Sequence, residues 1–187
     1  KEYDKDIEIH LGLETEYFPR FWDQLIDFLS DYPFEYFVLG QHSLGNEIEK
    51  ILYSGHGTTD GGCLKQYVDQ CLAGIDTGKY LYLAHPDLFL FNGEEAVFDR
   101  EYRRLCREVK KRNIPLEINF LGLMEERWYP NEKFWKIAGE EGNTAVFGCD
   151  AHTPKAVWNP ETEQKALQLA AKYGLKVQET VPMPKTF

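Results

Sequence analysis

The stretch Gly148-Cys149-Asp150-Ala151-His152-Thr153-Pro154 sets an Asp and a His two residues apart, directly after the apolar run Asn143-Thr144-Ala145-Val146-Phe147. That run follows a glycine, is rich in β-formers, and reads as a buried parallel strand. The Asp-X-His then sits just past the strand's C-terminal end, the edge where ligands and chemistry collect in α/β folds. A carboxylate oxygen and an imidazole nitrogen so placed can both turn toward one hard or borderline cation. Taken alone, the pair is equally a turn Asp beside a surface His.

The elements around it place further ligand types at the same edge. Ile7 to Glu14 alternates apolar and polar residues and reads as a strand with Glu14 near its C-terminal end. His10 falls within that strand as a locally bonded side chain with no site role. Phe21 to Leu29 carries a helical stripe that stops before Pro33, and Phe34 to Gly40 reads as a buried strand with Gln41-His42-Ser43 as its exit. Residues 45–62 are glycine-rich and read as an excursion loop holding His56, to which no role is given. A helix over Cys63–Ile75 leads to the strand Tyr80–Ala84 and then to His85-Pro86-Asp87, where the proline stiffens the exit. Glu94–Asn113 is a charged amphipathic helix with Phe98, Tyr102, Leu105 and Val109 inside. Ile114–Asn119 is a strand whose Glu117 and Asn119 face the same way. Gly122–Pro130 reads as a polar loop with Arg127, Trp128 and Tyr129. Helices over Glu132–Glu141 and Pro160–Tyr173 flank the strand that leads to Asp150, and Leu175-Lys176-Val177 is a last short strand.

Strand, polar exit and helix thus recur at least five times, which implies βαβ crossovers and an all-parallel sheet, open or closed. The exits carry Glu14, His42, His85, Asp150 and His152. Five good metal ligands at one end of successive strands point to a shared metal site.

Composition limits the alternatives. With 187 residues, 43% hydrophobic and 28% charged, the chain fits one globular domain over 1–187. The net charge of -10 argues against nucleic acid as partner, so an anionic substrate would need local positive charge such as bound metal. No apolar run has membrane length, and Cys63, Cys71, Cys106 and Cys149 show no CxxC spacing, which reads as free thiols in a reducing cytoplasm. The polar start at Lys1 is expected to reflect an absent N-terminal segment.

The motifs Gly12-Leu13-Glu14, Leu39-Gly40-Gln41-His42, Ala84-His85-Pro86-Asp87, Glu117-Ile118-Asn119 and Gly148-Cys149-Asp150-Ala151-His152, in this order, resemble the polymerase and histidinol phosphatase (PHP) metallohydrolases, in particular the histidinol-phosphatase branch. The resemblance runs from Leu11 onward. It implies a distorted (β/α)7 barrel with two or three Zn, Mn or Fe ions at its C-terminal mouth. It further implies that Glu14 bridges two metals, that His42 and His85 complete the second, that Asp150 binds the first and His152 the third. Glu14, Asp150, His152 and Arg127 would form the catalytic set. Glu117, Asn119 and Arg127 would line the substrate pocket, with Arg127 clamping phosphate through its guanidinium fork. The chain departs from the family in lacking the opening His-X-His strand, and in carrying Cys149 where Ser is usual.

The implied reaction is hydrolysis of a small phosphate monoester, first of all L-histidinol phosphate in histidine biosynthesis. Two cations suit it because they stabilise both the attacking and the leaving oxygen. Three rivals remain: a PHP-type phosphoesterase or nuclease on a nucleotide, a non-catalytic domain that metal merely stabilises, and an amidohydrolase-like enzyme. The strand exits offer the last of these no bridging Lys.

Overall fold

The computed structural model describes residues 5–46 and 52–183. The expected polar lead-in at 1–4 and part of the glycine-rich excursion fall outside them. Six strands form one sheet in the order β1 (Gly12–Thr15), β2 (Tyr36–Leu39), β5 (Tyr80–Leu83), β6 (Leu116–Asn119), β7 (Thr144–Gly148) and β8 (Lys176–Val177). Every pairing in it is parallel. Strand order follows chain order without reversal, the winding of a (β/α) barrel rather than of a doubly wound sheet. Among the described residues β1 and β8 remain edges, so the expected α/β parallel architecture is present and the sheet is open.

The helices α1 (Trp22–Leu29), α2 (Gly61–Asp76), α3 (Glu95–Lys111), α4 (Phe120–Met124), α5 (Glu132–Glu141) and α6 (Pro160–Lys172) occupy the connections. Asp60, Asn131 and Asn159 cap α2, α5 and α6 by accepting from backbone N–H groups of the first turn. Helix α2 packs on α3 and α3 on α5. Between this layer and the sheet lie Leu39, Leu83, Leu116, Ile118 and Ala145 from the strands, with Tyr67, Tyr102, Leu105, Val109, Phe134 and Trp135 from the helices. The amphipathic stripe expected for α3 is therefore its buried face.

Four local expectations change. The first strand begins at Gly12 rather than Ile7: the Leu11 N–H goes to the Glu35 carboxylate, which also holds the His10 ring, and only the Leu11 carbonyl accepts from the Glu35 main chain. The excursion is a small hairpin, β3 (Ser43–Leu44) against β4 (Leu52–Tyr53), followed by a turn of 3-10 helix over Ser54–His56. The expected polar loop opens with α4, since the Asn119 side chain accepts from Gly122 N and Phe120 and Leu121 find buried places. Leu167, expected on the inner stripe of α6, is half exposed, whereas Ala166 and Ala170 face the core.

Two contacts of α5 carry measurable consequences. At Gly139 an added Cβ would lie 2.1 Å from the backbone oxygen of Tyr173, which cannot swing aside as a side chain could. Gly139→Ala is expected to destabilise the protein by about 1–3 kcal/mol in urea unfolding. At its other end, α5 is tied down by the buried Asp87 carboxylate, which accepts from the Asn131 N–H. Burial pushes Asp87 up to about 7, against the opposing Asn131 N–H and the charge of His85. The native state then holds a proton that the unfolded chain releases near its ordinary value, so this group's contribution falls as pH rises from about 4 to 7. Asp87→Asn is expected to gain stability relative to wild type across that interval; a constant difference would contradict the assignment.

Candidate metal centre

Glu14 lies on β1 opposite Val38 of β2, with its side chain over Gly40. A Cβ at Gly40 would stand 1.8 Å from Glu14 Oε1, so the glycine supplies the space in which this carboxylate rests. His42 follows two residues later in the exit of β2, and His85 lies in the exit of β5. Both rings turn Nε2 to Glu14 Oε1, at 3.8 Å from His42 and 3.0 Å from His85. The ring centroids are 4.8 Å apart. One ligand atom from each of the three residues falls within 4.8 Å of the other two, and this is the group of metal-binding type found among the described residues.

His85 is 2% exposed and held from several sides. Its φ of 31° lies in the left-handed region, and its N–H donates to Glu117 Oε2 at 3.0 Å. Asp150 also has a positive φ, 47°. A non-glycine residue held there stores backbone strain, and such strain concentrates at functional sites.

Glu117 and Asn119 do share a face, as their spacing required. Glu117 is buried, with room made for it by Gly148, where a Cβ would stand 1.7 Å from Glu117 Oε1. Asn119 Nδ2 donates both to Glu117 Oε2 at 3.0 Å and to Asp150 Oδ2 at 3.1 Å, while its Oδ1 caps α4. These two residues thus link the main chain of His85 to Asp150. Glu14, His85, Glu117, Asn119, Cys149 and Asp150 all line one cleft.

Two expected site residues lie apart from the trio. His152 is largely exposed, its Nδ1 near the Asp150 backbone oxygen at 2.9 Å and Asp150 Oδ1 at 3.5 Å. Arg127 spends its fork on Glu125, with Nε and Nη2 at 2.9 and 2.6 Å from Oε2, and donates from Nη1 to the Tyr129 hydroxyl at 2.8 Å. Its guanidinium lies 5.9 Å from the Tyr129 ring centroid, so its aromatic neighbour is Tyr129; Trp128 donates instead to the Leu88 carbonyl. Tyr129 in turn stands 6.1 Å from the His85 ring. His56 packs edge-on to Tyr53. Gly40 and Gly148 stand within the motifs quoted from the sequence, but the space each supplies to a carboxylate was not readable there.

The electrostatics of the cleft favour a cation. Burial raises Glu14, but the hydrogen bond and charge of His85, with the charges of His42 and His152, outweigh it and hold the carboxyl below its usual value. Burial works against a charged His85, yet Glu14, Glu117 and Asp150 outweigh it and raise the ring. Glu117 is raised by burial despite the opposing His85 charge. Three carboxylates therefore compete for two imidazoles, and Nδ1 of the buried His85 has no protein partner. Two imidazole nitrogens and a carboxylate oxygen around one point form a donor set that fits zinc and similar divalent ions.

No protein-family model matches this sequence, and no curated protein sequence matches it. Solved structures do. Histidinol phosphate phosphatase from Lactococcus lactis subsp. lactis, complexed with zinc, L-histidinol and phosphate, superposes with a TM-score of 0.68 at 21% identity, over 96% of this chain and 72% of that one. A Listeria monocytogenes protein provisionally described as histidinol phosphatase superposes with a TM-score of 0.64 at 22% identity, over 87% of this chain and 70% of that one. At these identities the likeness is one of fold.

Zinc titration followed by calorimetry is expected to show binding that His85→Ala abolishes. Gly40→Ala should keep the fold and weaken zinc, because only the Glu14 side chain has to move. Affinity should drop as pH is lowered through the raised pKa of His85, since the proton and the metal compete for the same nitrogen. Zinc binding that His85→Ala leaves intact would remove the trio as the site.

Proposed function

We propose that this chain is a PHP-type metallohydrolase that hydrolyses a small phosphate monoester, with L-histidinol phosphate the substrate to test first. The observation that carries this reading is the meeting of Glu14, His42 and His85 at the carboxyl ends of three parallel strands. The fold likeness to a zinc-, histidinol- and phosphate-bound phosphatase supports it. Divalent ions held here, Zn, Mn or Fe, supply the positive charge that stabilises the oxygens of a phosphoryl group in transfer. Such charge is a necessity in this cleft, because Glu14, Glu117 and Asp150 would otherwise repel the substrate.

The chain's own residues then divide the work. Glu14, His42 and His85 hold one ion, and Asp150 and His152 are assigned to neighbouring ones. Asn119 orients Asp150 through its 3.1 Å hydrogen bond, and Glu117 fixes His85 through the backbone. Arg127 serves the phosphoryl oxygens by exchanging the single Glu125 oxygen it now holds for phosphate, whose several oxygens its fork can take in pairs. Glu117 and Asn119 bound the substrate side of the same cleft. The reducing cytoplasm assigned to the protein suits four cysteines that form no disulfide.

Phosphate release measured after reconstitution with each of the three metals is expected to be metal-dependent and faster on histidinol phosphate than on nucleoside monophosphates. His85→Ala should reduce it to background, and Arg127→Ala should lower kcat/KM by about 100-fold. Preference for nucleotides would move the substrate assignment to the rival phosphoesterase. A reconstituted protein that releases phosphate from neither would end the enzyme reading.

A further inference from the structure

Glu16 stands two residues beyond Glu14 and turns back on the exit of β2. Its Oε2 accepts three hydrogen bonds, from Ser43 N at 2.8 Å, His42 N at 3.0 Å and Gln41 Nε2 at 3.2 Å. Its Oε1 lies 3.5 Å from His42 Nδ1, while His42 Nε2 faces Glu14. The imidazole is thus placed between two carboxylates, one at each nitrogen. Gln41, fully buried, locks the arrangement: its Oε1 accepts from Tyr17 N at 3.1 Å and its Nε2 also donates to the Ser43 carbonyl at 2.8 Å. With three donors fixing Oε2, the direction of Oε1 is fixed as well.

A neutral imidazole has one donor and one acceptor nitrogen, and an ionised carboxylate only accepts. Glu16 Oε1 is the nearer of the two carboxylates, and Glu14 Oε1 is already engaged by His85 Nε2 at 3.0 Å, so the proton is favoured on Nδ1 and the Nε2 lone pair is left toward Glu14. A metal bound through Nε2 needs that tautomer. We propose that Glu16 is the positioning residue of the metal centre: it sets His42 in the Nδ1–H form and holds the 41–43 turn so that Nε2 meets the cation. This deepens the metal-centre reading and rests on it. His85 is held differently, by its backbone hydrogen bond to Glu117 and by Pro86, with Nδ1 unpartnered. Of the two rings, only His42 is oriented by a carboxylate at its Nδ1.

Glu16→Gln separates this role from a structural one. The amide keeps one oxygen for the Ser43 and His42 N–H groups but turns an NH2 donor to Nδ1, which favours the Nε2–H tautomer. Long-range proton–nitrogen correlation spectra of the metal-free protein at about pH 8, where an imidazole is largely neutral, report the tautomer directly. The His42 signals are those lost in His42→Gln. The expected result is Nδ1–H in the wild type, Nε2–H in Glu16→Gln, an unchanged melting temperature without metal, and zinc affinity lowered about 10- to 100-fold. Nε2–H in the wild type, or a folded Glu16→Gln that binds zinc as tightly, would overturn the proposal. The wild-type spectrum decides even if the variant fails to fold. Wild-type protein that shows Nδ1–H but binds no zinc would instead overturn the metal centre.

Discussion

Side chains on a strand alternate between its two faces, and that period of two is the constraint on which the rest of this structure depends. On β6, Leu116 and Ile118 enter the core while Glu117 and Asn119 enter the cleft. The same sheet can be greasy on the helix side and polyanionic on the other only because no residue has to serve both. Where a carboxylate crosses a neighbouring strand, the neighbour must yield space. Gly40 does so for Glu14 and Gly148 for Glu117, so the alternation within one strand is matched by an omission in the next.

Collecting Glu14, Glu117 and Asp150 at one edge costs electrostatic energy that the fold offsets only in part. Asn119 and the His85 N–H neutralise some of it through hydrogen bonds, and the two imidazoles compete for the remaining negative charge. Glu14 is held low and His85 high because each is the other's nearest counter-charge. A divalent cation would replace a proton on His85 with a charge twice as large, at the point where both rings and the carboxylate meet. The energetic argument for a metal is therefore the same as the geometric one.

Much of this was legible in the sequence because it depends on short-range pattern. Strand exits at His42, His85 and Asp150 followed from apolar runs ended by polar residues, and the α3 stripe from its helical period. The pairing of Glu117 with Asn119 on one face followed from strand alternation. What was not legible depends on contacts between segments distant in the chain. Glu35 captures His10 and the Leu11 N–H and so shortens β1. Arg127 is the exception, taken by Glu125 and Tyr129 only two residues away on either side, because a guanidinium selects the nearest acceptors, which spacing cannot rank. The use of Gly40 as the floor beneath Glu14 needs the register of β1 on β2, which no single strand encodes.

The shape of the centre also bears on whether a metal here would work or merely brace the fold. Structural zinc sites are closed by four protein ligands, whereas catalytic ones leave a position open. Here three of the described residues converge, and Glu14, on an edge strand, keeps a side chain 42% exposed while His85 is buried behind it. Bracing would also be poorly served by strain, since a left-handed backbone at His85 and Asp150 subtracts stability from the elements it is meant to secure. A fold of this class hosts many chemistries, so its likeness to a phosphatase cannot choose between these uses by itself. Backbone strain at His85 is therefore the observation by which the proposed catalytic use of this centre is preferred to a bracing one.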